Sequence, residues 1–122
     1  MILVDTSVWV DHLRNSDEEL IGLLDRGQVL AHPFVIGEIA LGSLAQRALV
    51  IGALQNLPQA IVAADDEVMR FIDDESLAGL GIGYFDAHLL AATRLTAYAS
   101  FWTRDRRLAA VAQRMSIAAD LA

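Results

Sequence analysis

With 122 residues and no cysteine, the chain is long enough to bury one core without disulfide bonds or a structural metal, and residues 1–122 are expected to form a single domain. Hydrophobic residues make up 55% and charged residues 20%, which excludes a disordered protein, and the longest uncharged run, 48–64, is too polar to span a membrane. At face value the net charge of -7 argues against a nucleic-acid partner, because proteins that bind phosphate backbones usually present a basic surface.

The first half of the chain alternates short apolar runs with helical patterns. The predicted elements here, in chain order, are strand 2–4, helices 6–13 and 16–27, strand 29–31, and helices 33–42 and 44–57. Thr6 or Ser7 can cap the first helix. Ser16 and Glu19 match a capping box for the second helix, and Gly27 is expected to end it.

The second half continues the alternation and adds a glycine-rich loop. Its predicted elements are strand 60–63, a helix capped by Asp65, the loop at 79–83, helix 84–95, strand 99–103, helix 105–115 and a short strand 117–119. Strands that alternate with helices predict an α/β fold with a mostly parallel sheet and helices on both faces. In such folds ligands bind at the carboxyl ends of the strands.

Two aspartates lie just after the ends of predicted strands. Asp5 comes after strand 2–4, and Asp105 comes two residues after Thr103, where strand 99–103 ends. Both positions suit a functional site, and both also suit a simple helix N-cap. Position alone does not decide between the two interpretations.

Glu38 lies within the predicted helix 33–42. Its neighbours three and four residues away are Phe34, Val35, Leu41 and Gly42, so we expect its carboxylate to lie in apolar surroundings. An unpaired charge is costly there, which leaves a buried ion pair with an arginine or a metal ligand as explanations. The metal ligand explains the position better.

Asp86 opens the helix that follows the glycine-rich loop. An acid in the first helical turn is also favoured by the helix dipole, so its position has an ordinary structural explanation. Taken together, however, the acidic quartet (Asp5, Glu38, Asp86 and Asp105) offers the oxygen ligands that Mg²⁺ and Mn²⁺ prefer. We therefore predict that these four carboxylates converge as metal ligands and catalytic groups.

The basic residues and histidines provide weaker signals. All nine basic residues are arginine, a side chain suited to phosphate, although genomic nucleotide composition explains the bias equally well. The last third of the chain carries a net positive charge despite the acidic total. Its candidates for contacting phosphate groups are Arg94, Arg104, Arg106 and Arg107. The three histidines do not have the spacing of zinc ligands and are expected to be structural.

Four short segments resemble the conserved motifs of PIN-domain nucleases. In chain order they are Ile2-Leu3-Val4-Asp5-Thr6-Ser7, Gly37-Glu38-Ile39-Ala40-Leu41-Gly42, Asp86-Ala87-His88-Leu89-Leu90-Ala91-Ala92 and Thr103-Arg104-Asp105. Their order and spacing run the length of the chain, and its size is similar to that of the VapC toxins of toxin-antitoxin pairs. The resemblance implies a three-layer α/β/α sandwich with a central sheet of four to five strands.

The resemblance also assigns roles to the acidic quartet. Its first three members map onto the family's firm metal ligands, while Asp105 maps onto a more variable position. Many relatives place an acid and a phenylalanine after the fourth motif, where this chain has Arg107 and Leu108. Thr6 and Thr103 match polar residues near the metal, and Ser7 is expected to assist them.

The function implied is that of a toxin with a VapB-like antitoxin as partner. It would be a Mg²⁺- or Mn²⁺-dependent endoribonuclease that cleaves a structured RNA, a tRNA or rRNA, and so inhibits translation. The high apolar fraction adds the expectation of a homodimer. The amino-terminal segment lacks the basic and longer apolar regions of a secretory signal, so a cytoplasmic protein without membrane contact is expected.

Other functions remain as alternatives or are disfavoured by single residues. A phosphatase of the haloacid dehalogenase type needs an acid where Ser7 stands, and a response-regulator receiver needs a lysine, which the chain lacks. A PIN-fold nuclease that processes RNA or nicks DNA without an antitoxin is the closer alternative. An inactive PIN-fold binding module is another, although the intact acidic quartet argues against it.

Overall fold

A small parallel sheet lies at the centre of the fold. The computed structural model describes residues 1–121 and, within them, contains three strands and seven helices. The strands are β1 (Ile2–Val4), β2 (Val29–Leu30) and β3 (Ser100–Trp102). The helices are α1 (Thr6–Arg14), α2 (Glu18–Asp25), α3 (Pro33–Ala40), α4 (Arg47–Gln55), α5 (Asp65–Asp74), α6 (Tyr84–Leu95) and α7 (Arg106–Arg114).

Strand β1 occupies the middle of the sheet, in the order β2-β1-β3, and both of its pairings are parallel. Its side chains at Leu3 and Val4 point to opposite faces, because side chains alternate along a strand. Both are completely buried. Both faces of the sheet are therefore covered, and the prediction of an α/β fold around a parallel sheet is confirmed.

The predicted number of four to five strands is wrong. The segment 117–119 meets the sheet edge at a single bridge between Phe101 and Ala118. The segment 60–63 is not a strand either, and a single bridge joins Ala31 to Gln59 just before it. Each of these two regions forms one isolated bridge with the sheet, at Gln59 and at Ala118, so only three strands are two residues long or longer.

Segment 60–63 has a physical reason for not pairing as a strand. The backbone N–H of Ile61 donates to the hydroxyl of Thr96, the residue directly after α6, at 2.9 Å. Ala60 and Ala63 are buried, while Ile61 and Val62 are about half exposed. A side chain thus satisfies the backbone group that a neighbouring strand would otherwise bind.

The helix boundaries follow the predictions with small shifts. Helix α6 has the predicted limits, 84–95, whereas α4 is shorter than the predicted 44–57 because Gln46 adopts a left-handed conformation with φ 53°. Asp17, and not Ser16, caps α2 by accepting the N–H of Leu20 at 2.9 Å. Gly27 ends that region with φ 65°, as predicted.

The topology brings the functional candidates to one edge of the sheet. Strands β1 and β3 are parallel neighbours, so their carboxyl ends, at Val4 and Trp102, lie side by side. The backbone N–H of Asp5 donates to the carbonyl of Trp102 at 2.9 Å. Across residues 1–121, the chain forms no helix of the length and hydropathy needed to cross a membrane.

Candidate active site

Asp5 is the most enclosed member of the acidic quartet, with 7% of its surface exposed. Its Oδ2 accepts hydrogen bonds from the hydroxyls of Ser7, at 2.7 Å, and Thr103, at 2.8 Å. The N–H of Ser7 also donates to this oxygen at 3.4 Å, which makes Asp5 itself the N-cap of α1. The prediction that Thr6 or Ser7 caps this helix is therefore wrong.

Asp105 lies across the sheet edge from Asp5 and caps α7. Its Oδ1 accepts the N–H of Leu108 at 3.0 Å, while the carboxylate as a whole is exposed. Its own N–H donates to the hydroxyl of Thr103 at 3.1 Å, and that hydroxyl donates to Asp5. The Thr103 hydroxyl therefore links the carboxylate of Asp5 to the backbone of Asp105.

Asp86 reaches the same edge from the first turn of α6. Its Oδ2 accepts the N–H of Gly83 at 2.9 Å, and its side chain is half-buried. Burial raises the pKa of Asp86, and the charges of Asp5 and Asp105 raise it further, whereas the Gly83 hydrogen bond opposes them. Asp86 thus lies close enough to Asp5 and Asp105 for their charges to raise its pKa.

Glu38 corrects one sequence-based expectation. Its side chain on α3 is exposed to solvent and does not lie in apolar surroundings, because Leu41, one of the neighbours that suggested them, is itself 90% exposed. Its Oε1 accepts the hydroxyl of Thr6 at 2.8 Å. Since Thr6 follows Asp5 in the chain, this bond holds Glu38 near the end of β1 where Asp5 lies.

The acidic quartet shares one geometric property. Each carboxylate uses a single oxygen for its hydrogen bonds with the protein, and within residues 1–121 no donor reaches the other oxygen. Nor does any arginine or histidine in that part of the chain form an ion pair with these four acids. The site therefore holds uncompensated negative charge and oxygen atoms available to a ligand.

This donor set fits a hard divalent cation. Among the described residues, no group of three or more acids and histidines is arranged so that it could hold a metal ion by itself. Mg²⁺ does not need such a group, because it typically takes one or two carboxylates and keeps several of its waters. The available oxygens of Asp5, Asp86 and Glu38 are donors of this kind.

The four candidate arginines fall into two pairs. Arg94 is bound to Glu75 at 3.0 Å, and Arg104 is bound to Asp11 and Asp17. Arg106 and Arg107 are exposed, and no ion pair involves them within residues 1–121. Only this second pair keeps its charge available to a substrate.

Each of the three histidines forms a hydrogen bond within the protein. His32 is completely buried and its Nδ1 accepts the N–H of Phe34 at 3.0 Å, while burial and the nearby His88 lower its pKa to about 4. His88 is also buried, with Nε2 3.1 Å from Asp65. His12 accepts the N–H of Asp17 at 3.0 Å.

The sequence did not reveal the partners of Arg104. Asp11 lies on the exposed face of α1, and Asp17 is the N-cap of α2, a role that the sequence pattern predicted for Ser16. Both carboxylates bind one guanidinium that comes from the other end of the chain. A local pattern does not predict a contact across more than 80 residues, although the acid six residues after Asp11 was a usable hint.

Comparisons with known proteins place these residues in a family context. Residues 2–114 match the family described as PIN domain. The chain is 47% identical over 118 residues to Ribonuclease VapC32 of Mycobacterium tuberculosis strain CDC 1551 / Oshkosh, an alignment covering 97% of this chain and 95% of that protein. Ribonuclease VapC32 of strain ATCC 25618 / H37Rv matches with the same identity and coverage.

Proposed function

This chain belongs to the PIN-domain family, and on that basis we propose that it is a divalent-metal-dependent endoribonuclease, the toxin of a type II toxin-antitoxin pair. The observation that carries the proposal is the acidic quartet, whose members are each anchored through one oxygen and have the other oxygen available. The identity of 47% to proteins named Ribonuclease VapC32 supports RNA as the substrate.

The side chains divide the work of the site between binding and positioning. Asp5, Glu38 and Asp86 would hold Mg²⁺ or Mn²⁺, which when bound supplies positive charge against the charge that develops on a phosphodiester during hydrolysis. The hydroxyls of Ser7 and Thr103 orient Asp5. Asp105 would position a second cation or the attacking water, a role that tolerates substitution better than direct ligation.

The substrate would approach over the exposed arginines. Arg106 and Arg107 lie in the first turn of α7, directly after Asp105, and their guanidinium groups suit phosphate. Arg94 and Arg104 are engaged by acids of this chain and are less suited to guide RNA. The proposed RNA path therefore enters from the α7 side of the acidic quartet.

A VapB-like antitoxin is the proposed protein partner. An apolar groove of about 260 Å³ lies between α1, α2 and α4, lined by Trp9, Leu13, Leu24, Leu49 and Leu57 among others. A groove of this kind suits the apolar face of a helix. A basic side chain of the antitoxin would complement the acidic quartet. A homodimer is proposed as well, because several large apolar side chains are exposed.

Cleavage assays on structured RNA test the proposal directly. The purified chain should cleave tRNA or rRNA with Mg²⁺ or Mn²⁺ present and lose that activity in excess EDTA. Single replacements Asp5→Asn, Glu38→Gln or Asp86→Asn should each lower the rate at least ~100-fold, because each removes part of a preorganised charged site. Asp105→Asn should cost less.

The outcomes separate this proposal from its alternatives. Cleavage that persists in EDTA would contradict a metal-dependent mechanism. Mapping new 5′ ends in cells soon after induction identifies the cleaved RNA, and incorporation of a labelled amino acid shows whether translation stops. Activity without toxicity would favour an RNA-processing nuclease, and metal binding without cleavage of any RNA or DNA would favour a binding module.

A further inference from the structure

Arg104 lies at the junction of three parts of the site. Its Nη1 donates to Asp11 Oδ2 on α1 at 2.6 Å, and its Nη2 donates to Asp17 Oδ2 at the start of α2. The guanidinium carbon also lies 5.6 Å from the ring centre of Trp102, the last residue of β3. One side chain therefore connects α1, α2 and β3.

The backbone of Arg104 takes part in the hydrogen bonds around Asp5. Its N–H donates to the Ser7 hydroxyl at 3.0 Å, and that hydroxyl in turn donates to Asp5 Oδ2 at 2.7 Å. The residues on either side are Thr103, which also donates to Asp5, and Asp105. A shift of the segment 103–105 would therefore move the Thr103 hydroxyl, the Arg104 N–H and Asp105 together.

We propose that Arg104 is a positioning residue, which Asp11 and Asp17 hold so that the segment 103–105 keeps Asp5 and Asp105 in their arrangement. This inference rests on the proposed function and reassigns Arg104, which the sequence suggested as a guide for RNA. The guanidinium suits the task because its planar fork can bind two carboxylates at fixed angles. A lysine would offer a single flexible ammonium group.

The exposure of the three side chains supports positioning over RNA binding. Asp17 is only 17% exposed and also caps α2, so it is itself fixed in place, while the Arg104 side chain is 36% exposed. An RNA phosphate would have to compete with both carboxylates for the same guanidinium. Geometry of this kind matters for rate, since small misplacements of catalytic groups can cost as much as ~100-fold.

Hydrogen exchange on the metal-free protein tests the contact itself, without RNA. In Arg104→Ala and Asp11→Ala, the backbone N–H groups of residues 104 and 105 should exchange at least ~5-fold faster than in wild type, because their hydroxyl acceptors lose their fixed positions. Arg70→Ala is the matched control, as it removes an ion-paired arginine of α5 whose ion-pair partner, Asp66, lies outside the acidic quartet. Its exchange at residues 104 and 105 should equal that of wild type.

Kinetics on a structured RNA with Mn²⁺ then distinguish the two roles. Positioning predicts that Arg104→Ala lowers kcat ~10-fold with the KM for RNA unchanged, that Arg104→Lys recovers only part of the loss, and that Asp11→Ala lowers kcat several-fold. Asp11 lies on the exposed side of α1, and alanine suits a helix, so this variant should fold.

The Asp11→Ala variant distinguishes the two roles of Arg104, because they predict different changes in kcat and KM. If Arg104 were an RNA contact, releasing it from Asp11 would keep kcat and lower KM, and Arg104→Ala would raise KM. Either of those results, or unchanged exchange at residues 104 and 105, would overturn the inference. If the two variants exchange faster but the wild-type protein cleaves no RNA, the positioning contact of Arg104 is supported and only the proposed function is rejected.

Discussion

The carboxylates of the acidic quartet combine an observed structural role with the metal-binding role that we propose for them. One oxygen accepts a hydrogen bond from a nearby hydroxyl or backbone N–H, which fixes the direction of the side chain. The other oxygen then points away from these donors with its lone pairs available. Capping and metal binding are compatible, since a helix start is a convenient way to hold a ligand rigidly.

Asp86→Asn should make the metal-free protein more stable. Burial and the carboxylates of Asp5 and Asp105 raise the pKa of Asp86, so its ionised form opposes folding at neutral pH. An asparagine can still accept the N–H of Gly83 but carries no charge. In EDTA we expect a melting temperature higher by on the order of 2 °C, together with a smaller stabilisation by added Mn²⁺.

The pH dependence follows from the direction of this pKa shift. A carboxyl whose folded pKa lies above its ordinary value of 3.8 contributes stability that is fully present below pH 3.8 and is lost as pH rises through the folded pKa. In EDTA, the advantage of Asp86→Asn should therefore shrink as pH falls below neutral. An advantage that does not change with pH, or an unchanged response to Mn²⁺, would leave Asp86 as an ordinary helix-start residue.

At the scale of residues, the sequence predicted the family better than it predicted the surroundings of individual acids. The PIN-domain motifs identified the family, and the comparisons confirm that resemblance. The reasoning about Glu38, however, assumed that apolar neighbours on a helix are buried. Leu41 shows why this fails, because burial depends on what packs against the helix, and in residues 1–121 nothing covers that side chain.

Helices were predicted more accurately than strands because their signals are local. Capping residues and the apolar period of a helix lie within one segment, as in α6. A strand requires a partner elsewhere in the chain, and the apolar run at 60–63 lacks one beyond the bridge at Gln59. Thr96 satisfies part of its backbone instead, and a sequence pattern does not reveal such a bond.

The hydroxyl of Thr96 therefore connects segment 60–63 to α6 by hydrogen bonds. It accepts the N–H of Ile61 at 2.9 Å and donates to the carbonyl of Ala92 at 2.8 Å. Thr96→Val should lower the free energy of unfolding by ~1 kcal/mol and speed exchange of the Ile61 amide proton. Thr96→Ser retains the hydroxyl and is the control. Equal exchange in both variants would show that this bond does not hold the segment.

At the scale of the molecule, charge and apolar surface are unevenly distributed. The net charge of -7 did not exclude an RNA substrate in our interpretation, because arginines are concentrated beside the acidic quartet, in and around α7. Bound cations would offset part of the local negative charge. The apolar groove between α1, α2 and α4 shares Leu13 with a cavity that Glu38 lines, which suits the proposed antitoxin helix with a basic side chain near the acidic quartet.

Leu49→Asp tests the assignment of this groove to the antitoxin. The side chain is 67% exposed at the groove, so the fold should tolerate a charge there, while an apolar helix in the groove should not. We expect the affinity of a VapB-like partner to fall at least ~10-fold with RNA cleavage unchanged. Met69→Asp, on the exposed face of α5, is the matched control. Full affinity in Leu49→Asp would place the antitoxin elsewhere.

The central claim is that the acidic quartet forms a site for a divalent cation, and a calorimetric titration of the metal-free protein with Mn²⁺ tests it most directly. Wild type should bind Mn²⁺ saturably, and Asp5→Asn, with its fold verified by circular dichroism, should bind at least ~10-fold more weakly. Wild-type heats that do not exceed those of dilution, or the same isotherm for both proteins, would contradict the claim.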